Sequence, residues 1–252
     1  MALWLHTRAR TRSLVSRTAA AGLVAALVLV MGLAIHQRAA AAGPDNMDTD
    51  PHAQAGAVEA MMDSASMAGN PHLKFTARRA PTPEDLARAN TLINELRHAL
   101  EKYRDYHGAL QDGYRQFLPK AKLPVYHFTN YREGFLEQFS FDPVKPTSLL
   151  YRKIPDGFEL IGAMYTASRR ATEEELDRRV PLSVATWHAH VNICLPPKAG
   201  RATADWTLFG PKGSIATKAA CDAAGGVFYP QLFGWMVHVH PFETTRENIW
   251  AH

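Results

Sequence analysis

The sequence has few cysteines and none of the common short catalytic motifs. Cys194 and Cys221 are its two cysteines, and no Cys-x-x-Cys-His sequence occurs, so the usual covalent attachment of haem is not indicated. No Gly-x-Ser-x-Gly motif is present, so the sequence does not indicate an α/β-type serine hydrolase. Residues 210–214 lack the Lys-Ser/Thr ending of a phosphate-binding loop.

The sequence also lacks an excess of positive or negative charge once the first 42 residues are set aside. The formal net charge of the whole chain is +4, but five arginines and no acidic residue lie before Gly43. Removing those five from the 28 basic residues leaves 23, against 24 acidic ones. The chain after residue 42 is therefore nearly neutral, which gives no electrostatic support for nucleic acid binding. We expect no nucleic acid partner.

Long hydrophobic runs are scarce too, since only residues 19–35 approach the length of a membrane span. This run follows an arginine-bearing start and precedes the small residues of "HQRAAAAG", which is the order found in a secretory signal peptide. We expect residues 1–42 to be a signal peptide cut after Ala42 or, alternatively, an uncleaved signal anchor. Either alternative places the rest of the chain in the periplasm or outside the cell, with membrane contact only through this segment.

The cysteine pair fits an exported protein. In an oxidising compartment two cysteines most simply form a disulfide, so we predict a bond between Cys194 and Cys221. Such a loop closure is typically worth about 2–4 kcal/mol. The alternative is that Cys194 serves as a soft metal ligand.

Residues 43–80 have the composition of a flexible stalk, with much Ala, Asp, Gly and Pro and few large apolar groups. The methionines and histidines of this stretch are Met47, His52, Met61, Met62, Met67 and His72. Thioether and imidazole groups together suit copper. The alternative is a low-complexity linker whose methionines are incidental.

A long amphipathic helix is predicted over residues 83–117. Thr82 can cap it, Pro83 suits its first position, and acidic residues follow in the first turn. The positions expected to face inward are Leu86, Ala89, Ile93, Leu96, Leu100, Tyr103, His107, Leu110, Tyr114 and Phe117. Gly108 and Gly113 weaken the last turns. These inward-facing positions form an apolar seam along the helix. The seam must be covered either by the β part of the chain or by a partner helix, which would make a homo-oligomer.

Short strand-like segments separated by turns occupy residues 123–252. "PDG" at 155–157 lies between two apolar segments, as in a hairpin. Since the helix is segregated from the strands, the sequence predicts an α+β domain with a mainly antiparallel barrel or sandwich and the long helix packed on it. We expect one such domain over residues 81–252.

Two segments place paired histidines on strands. In "WHAHVNIC", alternation puts His188 and His190 on one face, and in "GWMVHVHPFE" it does the same for His238 and His240. Neighbouring strands lie about 4.8 Å apart, so two such pairs can close around one ion. Leaving buried imidazoles without partners would cost desolvation energy, and a transition metal is an efficient partner.

Three further residues complete the predicted site. His127 lies on a third strand-like segment and is a reserve ligand. Asn192 is expected to support the ligands by hydrogen bonds, and Glu243 is expected either to do the same or to be a carboxylate ligand itself. Copper and zinc are the expected metals. The alternatives are a pair of hydrogen-bonded histidines in a core or pocket, and a plain solvated strand face.

The histidine pairs resemble those of the cupin superfamily, whose small β-barrels bind a metal through His-x-His, a carboxylate and a later histidine. The resemblance covers His238, His240 and Glu243, with His188 or His190. The carboxylate follows His240 more closely than in that family, and the glycines that frame the family motif are absent. The resemblance implies a closed barrel and a metal-dependent enzyme.

These observations predict an exported metal-binding protein with a two-strand histidine cluster. One alternative is a non-catalytic interaction or oligomerisation module of the cell envelope whose histidines are pocket or core residues. The other is a cupin-like metal-dependent enzyme acting on a small molecule.

Overall fold

The computed structural model describes residues 69–119 and 122–252. The predicted signal peptide or anchor lies outside the described residues, as do the four stalk methionines. Within the described ranges, no helix combines the length and the apolar character that crossing a bilayer would need.

Eight strands form one antiparallel sheet, in the order β1-β6-β8-β5-β4-β3-β2, with β7 paired to β6 beside this path. The strands are β1 (Leu73–Phe75), β2 (Arg115–Gln116), β3 (Tyr126–Thr129), β4 (Ser148–Ile154), β5 (Gly157–Ala167), β6 (His188–Leu195), β7 (Val227–Gln231) and β8 (Trp235–Val239). Every pairing is antiparallel, as predicted. The sheet is open, so the predicted barrel or sandwich is wrong.

The helices lie between and beside these strands. They are α1 (Pro83–Leu100), α2 (Tyr106–Gln111), α3 (Tyr131–Leu136), α4 (Glu173–Arg179), α5 (Lys218–Ala223) and α6 (Arg246–Ile249). The predicted hairpin is confirmed, because Ile154 of β4 and Gly157 of β5 are Cα partners across the turn.

Helix α1 begins as predicted but ends early. Thr82 and Asp85 form a capping box at its start. The helix stops at Leu100 and not at Phe117, because Asp105 is extended and caps α2 as a new helix by accepting from the His107 backbone N–H. The single helix predicted over residues 83–117 is therefore interrupted.

The apolar seam of α1 packs within its own chain. Ala89, Ile93, Leu96 and Leu100 are buried in the main core together with apolar residues of the sheet. This face is covered by the β part of the chain, which was one of the two predicted alternatives. His107 does not belong to the seam: its ring is exposed, with Nδ1 2.7 Å from Asp105 Oδ1.

The folded domain begins before the predicted boundary at residue 81. Strand β1 lies in the predicted stalk of residues 43–80, and it pairs with β6 over three residues. His72, also in that stretch, is almost completely buried. Residues 72–75 are therefore part of the domain and not of a linker.

The predicted disulfide between Cys194 and Cys221 is confirmed. It joins the end of β6 to α5 and lies in a small separate core with Phe209 and Ile215. Because Cys194 is bonded to sulfur, the alternative of Cys194 as a metal ligand is wrong.

The two faces of the sheet carry different side chains. One face contributes to the main core, through residues such as Tyr151, Tyr165 and Val237. The opposite face holds a smaller apolar cluster of Leu150, Met164 and Met236. The histidines of the predicted site lie on this second face.

Candidate functional site

Strands β6 and β8 bring the two His-x-His segments side by side. His188 of β6 and Met236 of β8 are Cα partners. Paired residues of an antiparallel sheet point to the same side, and so do residues two apart on one strand. His188 and His190 therefore share a face with Met236 and His238.

His127 reaches the same face from the far side of the sheet. It pairs with Leu150, and Leu150 pairs with Gly162. Two strands, β4 and β5, separate β3 from β8. In a flat sheet that separation would be about 14 Å, at about 4.8 Å per strand. The ring centroids of His127 and His238 are 5.6 Å apart, so the sheet curves strongly toward this face.

Five imidazole rings meet there, and we call them the histidine cluster: His127, His188, His190, His238 and His252. The ring centroid of His188 lies 5.4 Å from that of His190, 5.4 Å from that of His238 and 3.9 Å from that of His252. The centroids of His238 and His252 are 5.1 Å apart. Ligands predicted on three different strands are thus neighbours in space.

Several ring nitrogens of the cluster are buried without a hydrogen-bond partner. They are Nε2 of His127, Nδ1 of His188, Nδ1 of His190 and Nε2 of His252. A buried polar atom left unsatisfied typically costs about 1–3 kcal/mol. His238 and His252 are partly exposed, although Nε2 of His252 is itself buried.

The rings of the cluster are neutral near pH 7. Burial lowers the pKa of His127 to about 4, that of His190 to about 3 and that of His252 to about 4. Burial also holds the pKa of His188 and His238 well below the ordinary value, and the neighbouring histidines add to the effect. Neutral imidazole is the form that coordinates metal ions.

The rings are not arranged as they would be around a bound ion. No three His, Cys, Asp or Glu side chains in the described part of the chain are grouped so that they could hold a metal. His188 meets His190, His238 and His252 edge-on, at interplanar angles of 89°, 69° and 68°. Coordination would need rotations of the imidazoles, whose χ2 angle is soft.

Three predicted site residues lie apart from the cluster. Nδ1 of His240 is 3.2 Å from the Ile161 carbonyl oxygen, and its ring centroid is 6.5 Å from that of His238. Glu243 is exposed, and its charge acts on His240. The Asn192 amide donates to the Pro71 carbonyl instead of a cluster ring. The structure therefore places His240 at the margin and Asn192 outside.

Asn192 serves the junction between β1 and β6. Its backbone has a φ of 56°, a left-handed conformation that Asn tolerates better than most residues, so strict alternation along β6 ends there. Its carbonyl oxygen lies 2.9 Å from Nδ1 of His72, whose Nε2 lies 2.7 Å from the Gly213 carbonyl oxygen. His72 is thereby held by backbone oxygens on both sides of its ring.

The sequence interpretation missed His252, which is central to the cluster. His252 is a single histidine beyond α6, and it belongs to no periodic pattern and no His-x-His pair. Its position next to His188 follows only from the fold. The position of Met164 was equally hidden, because it depends on the register of β5 against β8, where it is the Cα partner of His238.

Comparison with known proteins adds no assignment. No protein-family model matches the chain, and no match was found among curated proteins or solved structures. The closed barrel implied by the cupin resemblance is not formed, since the sheet is open. The functional argument therefore depends on the geometry and chemistry of the described residues.

Proposed function

We propose that this protein is an exported metal-binding protein whose histidine cluster holds a transition metal ion, copper or zinc. The observation that carries the proposal is the set of four buried ring nitrogens without partners in one cluster. A bound metal would give these nitrogens the partners that the protein itself does not supply.

The chemistry of the cluster supports this role over that of an ordinary core. Buried histidines in a core normally bond a carbonyl, as Nδ1 of His240 does with Ile161. His188 and His190 are more deeply buried than His240, yet each keeps an unpaired nitrogen. Neutral imidazole nitrogen is a good ligand for Cu²⁺, Cu⁺ and Zn²⁺.

The expected compartment also supports the proposal. The apolar run of residues 19–35 has the features of an export signal. The Cys194–Cys221 disulfide is of the kind that persists outside the cytoplasm. The proposal assigns binding and no reaction, because the number of rings that would coordinate decides whether a position stays open for substrate.

Metal content measured by mass spectrometry tests the proposal. Untagged protein purified from the cells that express it is expected to carry copper or zinc in a fixed ratio to the chain. The double variant His188→Ala with His238→Ala removes two central rings and is expected to lose most of that metal.

A matched control replaces two histidines that lie outside the cluster. His98 and His107 are both exposed, so His98→Ala with His107→Ala removes the same number of imidazoles from the surface. This variant should keep the wild-type metal content. Wild-type protein without metal, even after incubation with copper or zinc, would refute the proposal, as would equal metal in the two double variants.

A further inference from the structure

Both methionines in the described part of the chain lie on the histidine face of the sheet. Met164 is the Cα partner of His238, and Met236 is the Cα partner of His188. Side chains of directly opposed residues have their Cβ atoms about 4.5–5.5 Å apart. Each methionine side chain therefore starts beside one of the two central residues of the histidine cluster.

Both methionines are also buried and close to each other. Their exposures are 6% for Met164 and 7% for Met236, and with Leu150 they form a separate apolar cluster on this face. Methionine often fills gaps in cores, and in residues 69–119 and 122–252 it occurs only at these two positions. The other Cα partner of His188 is Phe75 of β1. Packing with Leu150 accounts for the burial of both side chains, and the strand register in addition places each methionine opposite a ring of the histidine cluster.

The charges around the cluster favour an ion of low charge. Within the described residues, the influences that shift the pKa values of the five rings are burial and the other histidines, while the carboxylate of Glu243 acts on His240. The desolvation cost of an ion rises with the square of its charge, so a singly charged ion costs less to bury among neutral rings than a doubly charged one. A singly charged ion therefore fits this site better than a doubly charged one.

We infer that Met164 and Met236 are thioether ligands that, together with rings of the histidine cluster, select cuprous copper over zinc. The inference rests on the proposed function and names the metal for that same site. Soft thioether sulfur prefers Cu⁺, whereas Zn²⁺ is bound mainly by imidazole, thiolate and carboxylate. Flexible methionine side chains can also follow the imidazole rotations that coordination requires.

The test replaces both methionines by leucine, which has similar volume and no sulfur. Such exchanges usually cost less than about 1.5 kcal/mol, so Met164→Leu with Met236→Leu is expected to fold. Affinity for Cu⁺ is measured by competition with a chromogenic cuprous chelator under reducing conditions, and affinity for Zn²⁺ by competition with a zinc dye. We expect the Cu⁺ affinity to fall at least about tenfold and the Zn²⁺ affinity to stay nearly unchanged.

A control variant separates the site from the stalk. Replacing Met47, Met61, Met62 and Met67 by leucine removes every other thioether between residue 43 and the end of the chain. This variant should keep wild-type affinity for Cu⁺. A loss there as large as in the first variant would place the copper site in the stalk and overturn the inference.

The remaining outcomes are also distinguishable. Unchanged Cu⁺ affinity in Met164→Leu with Met236→Leu would overturn the inference while leaving the metal-binding proposal intact. An equal loss of Cu⁺ and Zn²⁺ affinity in that variant would show that the thioethers do not select between the metals, which also overturns it. Wild-type protein that binds neither ion would refute the proposed function itself, and the inference with it.

Discussion

At the scale of single residues, unpaired polar atoms separate the histidine cluster from the other buried histidines. His72 has a carbonyl oxygen at each ring nitrogen, while His188 and His190 each keep one buried nitrogen without a partner. All three are almost completely buried. Burial alone therefore does not explain the difference, whereas the proposed metal ion would supply the missing partners.

Outside the histidine cluster, Glu137 is a buried ionisable residue whose carboxyl group has one oxygen without a partner. Its Oε2 accepts from the Thr147 hydroxyl and from the Thr166 backbone N–H, while its Oε1 is buried without a partner. Burial raises the pKa of Glu137 to about 7, against hydrogen bonds from Thr147 and Thr166 and the charge of Arg179, which lower it. The folded state thus holds this proton more tightly than the unfolded chain does.

This shift predicts that Glu137 makes stability fall as the pH rises. Between about pH 4.5 and pH 7 the unfolded chain has lost the proton and the folded chain keeps it, so the free energy of unfolding decreases. Above about pH 7 both states are ionised and the effect is constant. From pH 5 to pH 8, Glu137→Gln should gain about 3 kcal/mol relative to wild type, as measured by urea unfolding. A difference between the two proteins that does not change with pH would show that this account of Glu137 is wrong.

Most residues of the cluster could be predicted from the sequence, for a local reason. His188, His190 and His238 belong to His-x-His pairs, and alternation along a strand fixes which side they share. The position of His127 in the cluster depends on the curvature of the sheet, and that of His252 depends on the path of the chain beyond α6. The prediction for Asn192 failed because its positive φ interrupts the alternation on which that prediction depended.

At the scale of elements, β6 connects the histidine cluster to the disulfide. His188 and His190 lie at its beginning, and Cys194 lies near its end. The disulfide closes a loop with a sequence separation of 27 residues and fixes α5 against the strand. The disulfide and the proposed metal ligands therefore lie at opposite ends of one strand.

Removing the disulfide should lower stability without abolishing metal binding. Cys194→Ala with Cys221→Ala is expected to reduce the free energy of unfolding by about 2–4 kcal/mol, chiefly because the unfolded chain gains entropy. Denaturant unfolding and metal content, both measured at low temperature, check the two parts. Reductant should shift the unfolding midpoint of wild type and leave that of the variant unchanged. Equal midpoints for the oxidised wild type and the variant would contradict the stabilising role.

The interruption of the predicted helix shows where local patterns are insufficient. The seam repeats through Phe117, so periodicity gives no reason to end the helix at Leu100. The ending depends on the Asp105 cap and on the position of Gly108, where an added Cβ would lie 2.8 Å from the Lys102 carbonyl oxygen. The apolar repeat favours continuing the helix, whereas the Asp105 cap favours starting a new one. The structure shows which of the two prevails.

At the scale of the whole molecule, the open sheet separates a face that contributes to the main core from a face with buried ring nitrogens that lack hydrogen-bond partners. The main core, with α1, covers one face and accounts for most buried apolar residues. The other face carries the five rings of the histidine cluster and both methionines of the described residues. Antiparallel pairing was predictable from the hairpin and the segregated helix, whereas the open sheet and its curvature were not, because they depend on long-range pairing.

The most direct test of the metal-binding claim is an anomalous difference map of crystals soaked with cuprous copper or with zinc, recorded at the absorption edge of the metal. The account predicts a strong peak inside the histidine cluster, about 2.0–2.1 Å from imidazole nitrogens for zinc and at similar distances for copper. For copper, a sulfur of Met164 or Met236 should also lie in the coordination sphere. A peak only at surface histidines such as His98 or His107, or no peak in soaked crystals, would contradict the account.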